Sequence, residues 1–453
     1  MRLRRQPPKP DGRTLAALWA ERANGEVQKV LRLSSPTGSP GKALRTTPGM
    51  YVPNDLAWSP DSAKILLSQT PSEIRVIDVR SGRDKLLANP PVLLSATPGW
   101  LPDSRHAVIS WPKPGSQDRG SEDLWLLDTQ TGQRQPLLLH ASGMTLPATS
   151  PDGRSIAYVS ELLDYDLVEF PLDGSPPRPL LATRQPEQWV NWSPTAPEFA
   201  YVSGNQIRIR RRDGSLDRAV VTADHFPEGS ALVAPAYSPD GTRIAFLTRA
   251  GSTMNAWIAA VGGGPPVPLL ERPEEGFILA PSWSPDGRWI AFNFWNLKVA
   301  RVQVGGSGKP EILAQALSWF PVSWSPDGKR ILASEANGRL YTMLADGGPA
   351  ELLGTEYEPL SVWSREERYI YAIRKANGKR QLGKLDWRSG VFQPIVDVPA
   401  EWIFQAMFFP SVGLSLAPDG KSLATTIQKA TGDIWILDGF QPPPSLWQRL
   451  FRR

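Results

Sequence analysis

Cysteine is absent from the 453 residues. That excludes a disulfide framework and any thiolate metal site, and it leaves the compartment, periplasmic or cytoplasmic, open. Long apolar runs are absent too: none approaches the ~18 residues of a membrane-spanning helix. The N-terminus, Met1-Arg2-Leu3-Arg4-Arg5, carries the charge of a secretory start. The apolar run at 14–20 is short for a signal core, lies behind a Pro-rich stretch, and reads as a strand. Histidine is scarce, with only His106, His140 and His225. Charge of one sign is lacking: 50 basic against 45 acidic residues leave a net +5, too mixed a surface to argue for nucleic acid.

Proline and glycine, by contrast, are abundant at 46 and 38, and there are 18 Trp. They punctuate short apolar runs, the pattern of many short strands joined by turns. One motif recurs: an aromatic or apolar residue, Ser-Pro-Asp-Gly, a basic or polar residue, then an apolar strand. Its clearest copies are Trp283-Ser284-Pro285-Asp286-Gly287 and Trp324-Ser325-Pro326-Asp327-Gly328. The fourth motif position falls at Asp11, Asp61, Asp103, Asp152, Thr195, Asp240, Asp286, Asp327, Glu366 and Asp419. These are steps of about 45 residues, the length of one four-stranded propeller blade. Pro presets φ for the first turn position, Asp accepts from a backbone N–H further on, and Gly takes the positive φ. The expected role of Asp61, Asp103, Asp152, Asp240, Asp286, Asp327 and Asp419 is therefore to hold turns, not to do chemistry. The Trp residues before Ser-Pro are expected in the core between blades.

Within each unit a third strand follows, as in Asp123-Leu124-Trp125-Leu126-Leu127-Asp128, then a hairpin turn such as Thr131-Gly132. A fourth strand follows that, as in Arg178-Pro179-Leu180-Leu181, whose prolines suit a sheet edge. The chain resembles the TolB-like, WD40-like repeat family over about residues 10–440. Its ending, Gly432-Asp433-Ile434-Trp435-Ile436-Leu437-Asp438, resembles the close of propeller regions attached to bacterial receptor-type Ser/Thr kinases and winged-helix regulators. The resemblance implies an all-β fold, a β-propeller of four-stranded antiparallel blades. The repeats number up to ten, and a ring of seven or eight blades with imperfect end units is favoured. The first unit lacks an inner strand and the last ends after its third strand. Residues 1–9 are expected to be a disordered or truncated N-terminal segment. Residues 441–453 form a Pro-rich linker and a short amphipathic basic tail, with membrane-surface contact through 445–453 as a minor alternative to docking on the ring.

Motifs for catalysis are weak. Gly413-Leu414-Ser415-Leu416-Ala417 departs from a nucleophile elbow and leads into a propeller turn. Gly305-Gly306-Ser307-Gly308-Lys309 lacks phosphate-loop spacing. The strand Ile207-Arg208-Ile209-Arg210-Arg211-Arg212 has no interleaved aromatics for nucleic acid. The expected function is a non-catalytic scaffold binding a protein, peptide or small ligand, as the sensor or docking part of a bacterial regulatory system. No cofactor and no metal are expected. The alternative is a propeller enzyme such as a metal-dependent lyase of the oligogalacturonate type, which would need the histidines to converge. Long loops before inner strands supply the candidate binding residues His225, Phe226, Phe277, Trp319, Phe320, Trp402 and Phe404, because aromatics in loops are enriched at binding hot spots.

Overall fold

In the turn at Asp286, the Ser284 hydroxyl donates to Asp286 Oδ1 at 2.6 Å and the Arg288 amide donates to the same oxygen at 3.0 Å. The Trp289 amide closes the turn onto Ser284 Oγ at 2.9 Å. The Ser–Asp bond recurs at Ser59/Asp61, Ser150/Asp152, Ser238/Asp240 and Ser325/Asp327. Asp103 and Asp419 likewise accept from the amides two residues on. Where Gly is replaced, the backbone keeps the left-handed conformation: φ is 63° at Ser62, 55° at Ser104 and 58° at Glu367. Each turn sends the chain antiparallel into the next strand, so sheets grow outward in sequence order.

The computed structural model describes residues 14–440 apart from short stretches, among them 89–97, 114–121, 316–321 and 405–412. It is all-β, with a single 3-10 turn, Ala223–His225, among the described residues. The chain divides into two compact units, 1–163 with 430–453, and 164–429. The boundary falls within two 17-residue strands, Ser155–Pro171 and Ser422–Asp438. These strands are neighbours. The Phe440 amide donates to Arg154 O at one end of the pair, and the Leu172 amide to Lys421 O at the other, each at 2.9 Å.

Among the described residues the first unit holds four sheets. Leu15–Ala23, Glu26–Ser34 and Pro40–Pro48 form a three-stranded one. Two four-stranded sheets follow, beginning with Pro53–Trp58 and Gly99–Trp100. In the last, Gly143–Thr149 pairs with the first part of Ser155–Pro171. Apolar clusters join consecutive sheets: Ala16, Leu31, Leu56 and Ile65 pack together, as do Leu66, Ile74, Trp100 and Ile109.

The second unit is a six-bladed ring, where a single ring of seven or eight was favoured. Blade one has Ser415–Leu416 as inner strand, then the first half of Ser422–Asp438, the second half of Ser155–Pro171, and Arg178–Leu181 outermost. Its two inner strands come from the end of the unit and its two outer strands from the beginning, so hydrogen bonds rather than chain continuity close the ring. Blades two to six begin with Gln188–Trp192, Ala231–Tyr237, Ser282–Trp283, Ser323–Trp324 and Tyr357–Trp363. Blade six packs on blade one through Leu360, Ile373, Phe170 and Leu423. The motif tryptophans lie between blades, as expected: Trp283 Nε1 donates to Ala236 O at 3.0 Å and Trp324 Nε1 to Ser282 O at 3.1 Å, each in the preceding blade.

Candidate functional site

The inner strands of all six blades line a central channel in the second unit, with a cavity of about 170 Å³. Its walls are small and neutral: Asn191, Ala236, Ser282, Ser323, Ser361 and Ser415 each come from a different blade. Asn191 and Ser415 also stitch blades together. The Tyr237 amide donates to Asn191 Oδ1 and the Trp192 amide to Ser415 Oγ, each at 2.8 Å. A volume of this size holds a handful of waters at about 30 Å³ each, below the roughly 300–1,000 Å³ of ordinary ligand pockets. The channel alone is too small for a sizeable ligand.

Two channel residues adopt a left-handed backbone without being glycine: Trp189 at φ 57° and Ala234 at φ 54°. Both sit in register shifts of the inner strand, between Gln188 and Asn191 and between Val233 and Ala236. Bulges of this kind cost backbone energy and re-aim the strand, and they concentrate beside binding sites. Both stand toward the end where the chain enters the ring from the preceding blade's outer strand.

At that end, the loop between blades two and three carries the short turn Ala223–His225. Phe226 anchors it, with ring centroids 5.0 Å from Trp257 and 5.9 Å from Phe246, both edge-on. Asn205, in the hairpin of blade two, clamps the far side: its Nδ2 donates to Ser230 O and its Oδ1 accepts from the Leu232 amide, both at 2.9 Å. His225 is left exposed beside the exposed Asp224 and Glu228. A firmly held loop thus presents a polar tip containing one imidazole and two carboxylates.

The four described sequence candidates fall in two places, His225 and Phe226 in the loop between blades two and three, Trp402 and Phe404 after blade six. His225 is exposed, whereas Phe226 is half-buried as the loop's anchor. Phe404 is buried and Trp402 half-buried in the packing of blades six and one, where Trp402 meets Phe170 edge-on at 5.7 Å. Arg380 ties down their segment, donating to Trp402 O at 2.7 Å with its guanidinium 4.7 Å from the Phe404 ring centre. Phe277, Trp319 and Phe320 lie outside the described residues, as does His140. His106 is held between turn carboxylates, with Nδ1 2.5 Å from Asp103 Oδ2 and Nε2 4.0 Å from Asp128 Oδ2. No three His, Cys, Asp or Glu side chains converge in a metal-binding arrangement among the described residues.

A second cavity, of about 460 Å³, lies between blades one and two and is lined by Thr183, Gln185, Glu187, Tyr201, Arg208 and Asp217 among others. Arg208 and Arg210 both pair with Asp217 at 2.9 Å, and the Tyr201 hydroxyl donates to Asp217 at 3.0 Å. Burial above all pushes the Tyr201 phenol up to about 12. Arg212 pairs with Glu169 at 2.6 Å. Three arginines of the basic run, Arg208, Arg210 and Arg212, are thus taken up by ion pairs. Glu187, which carried no motif, is buried; burial first, then the charges of Asp166 and Asp164, push its carboxyl up against the bonds from Thr183.

No family model matches this sequence, and no curated protein does. Solved structures similar in fold include a TolB-type protein from Agrobacterium tumefaciens, with 16% identity and a TM-score of 0.46, covering 59% of this chain and 99% of that one. TolB from Acinetobacter baumannii is 13% identical with a TM-score of 0.39, covering 73% of this chain and 81% of that one. Oligogalacturonate lyase from Vibrio parahaemolyticus is 12% identical with a TM-score of 0.26, covering 73% and 85%.

Proposed function

We propose that this protein is a non-catalytic propeller scaffold whose second unit recognises a protein or peptide on the face carrying the loop at 222–230. The observation that carries the reading is the pairing of a packed aromatic base with an exposed polar tip. Phe226 is packed between Phe246 and Trp257, while His225, Asp224 and Glu228 face solvent. Preorganised loops lose little entropy on association, which favours recognition. The channel's small neutral walls direct binding to the mouth rather than the interior. In a regulatory system, such a face would serve as the sensing or docking surface.

The test is a binding comparison between the full chain and a variant with Asp224→Ala, His225→Ala and Glu228→Ala, all exposed positions that leave the Phe226 anchor in place. Affinity capture from the host's lysate, read by mass spectrometry, should yield a stoichiometric partner that the triple variant loses at unchanged melting temperature. A partner retained equally by the variant would move the recognition face elsewhere.

A further inference from the structure

Among the described residues, the last sheet of the first unit has three strands. The second half of Ser422–Asp438 is its third strand and has no outer neighbour among the described residues. Ile434, Trp435 and Ile436 are 77%, 55% and 63% exposed there. An unpaired strand edge with apolar side chains on both faces is a template for another strand. In the eight four-stranded blades the third strand leads through a hairpin to an outer fourth strand.

A common anchor bond accompanies seven of those hairpins and six of them share one register; after the seventh, Val304 to Arg288 O, the fourth strand falls one residue later, with Arg301 opposite Glu311. The amide of Val79 donates to Ala63 O, Thr129 to Arg105 O, Leu172 to Lys421 O, Arg212 to Pro197 O, Val261 to Thr242 O and Ala345 to Lys329 O. In each case the residue two or three before the anchor pairs with a fourth-strand residue at a fixed distance along the chain. Counting from Val79, the pairs are Val76↔Lys85, Arg75↔Leu86 and, after a bulge, Ile74↔Ala88. Counting from Thr129, they are Leu126↔Gln135, Trp125↔Pro136 and Leu124↔Leu138. Counting from Leu172, they are Glu169↔Arg178, Val168↔Pro179 and Leu167↔Leu181. The same offsets hold after Arg212 and Ala345.

Phe440 makes this anchor bond, donating to Arg154 O at 2.9 Å. We propose that the chain's own segment 445–449 is the missing fourth strand, pairing Leu437 with Leu446, Ile436 with Trp447 and, across a bulge, Trp435 with Arg449. The thirteen residues after Phe440 are enough for this run. Gln441 to Pro444 fill the turn, where the prolines' missing N–H groups cost no ladder bond. Leu446 and Trp447 then stand where other blades have Lys85-Leu86 and Arg178-Pro179. The tail thereby becomes part of the fold, covering an edge that would otherwise recruit another chain.

Because the protein has no cysteine, a paired substitution reads the register directly. Ile436→Cys with Trp447→Cys places two thiols on facing residues, about 4.5–5.5 Å apart at Cα, within reach of a disulfide. Under mild oxidation this full-length variant should form an intramolecular disulfide in high yield, and Ile436→Cys with Ser445→Cys should not. An intermolecular disulfide would assign the edge to a second copy, and no disulfide in either pair would remove the strand. In the unmutated chain, hydrogen exchange provides an independent reading. The amides at 434–437 should be protected, and deletion of 441–453 should make them exchange at least tenfold faster. Protection that survives the deletion, depends on protein concentration, or appears only with anionic phosphatidylglycerol vesicles would overturn the proposal.

Discussion

The Glu169 carboxylate accepts a hydrogen bond from the Ser422 hydroxyl at 2.6 Å, joining residues 253 positions apart. The same carboxylate accepts from Arg178 at 2.9 Å and from Arg212 at 2.6 Å. One buried side chain therefore links the beginning of the six-bladed ring, its end, and the neighbouring blade. Removing it takes the shared acceptor from the buried Ser422 hydroxyl and from two guanidiniums, of which Arg178 reaches water and Arg212 keeps Asp419 at 3.5 Å. Breaking a buried ion pair costs about 3–5 kcal/mol, and the partial exposure of Arg178 and Arg212 places Glu169→Ala at the low end, about 3 kcal/mol. Hydrogen exchange at 164–171 and 422–429 should accelerate together in this variant. Acceleration in only one of the two segments would mean that they do not open as a closure.

Glu187 lies buried where its charge is disfavoured. Its folded carboxyl titrates above its unfolded value because burial, followed by Asp166 and Asp164, outweighs the Thr183 bonds. A carboxyl raised on folding subtracts stability once pH climbs past the unfolded value, and the loss is complete above the folded one. Glu187→Gln should therefore raise the melting temperature at pH 7.5 and change it little at pH 4. An equal effect at both values would assign the change to packing rather than charge.

Asp240 shows the opposite sign. The Ser238 hydroxyl, then the Thr242 amide and hydroxyl, lower its carboxyl to about 2. Its contribution is present above the unfolded value of about 3.9 and is lost as pH falls toward 2. Asp152, Asp286 and Asp327 are lowered as well, by related serine hydroxyls and turn amides, with burial opposing. Urea midpoints measured from pH 5 to pH 2.5 should fall less steeply in Asp240→Asn than in the parent chain. Parallel curves for the two proteins would show that this turn does not drive acid unfolding.

Glu367 occupies a glycine's place in its turn, at φ 58°. A left-handed backbone costs a non-glycine residue about 1–2 kcal/mol. Glu367→Gly should therefore stabilise blade six by roughly 1 kcal/mol after the added unfolded-state entropy is subtracted. A calorimetric shift to lower temperature would show that the Glu367 side chain contributes more than its backbone strain costs.

The sequence by itself determined the turns, the repeat length and the class of fold. The hydrogen bonds of Ser-Pro-Asp-Gly run between residues at most five apart, as from Trp289 to Ser284, so the motif specifies its own geometry wherever it occurs. The tryptophans that precede several motif copies, such as Trp283 and Trp324, are legible for a related reason, since the inner-strand position fixes the blade they must face. Tertiary structure alone decided the rest. That 164–171 lies beside 422–429, and that the ring has six blades, depends on pairing between distant segments that carry no distinctive spacing. Trp402 and Phe404 read as loop aromatics free to bind, but Phe170 and Arg380 draw them into the core. Phe226 serves as an anchor because Trp257 and Phe246 are folded beneath it. Burial is a property of neighbours, and neighbours far apart in the chain leave no local periodicity to read.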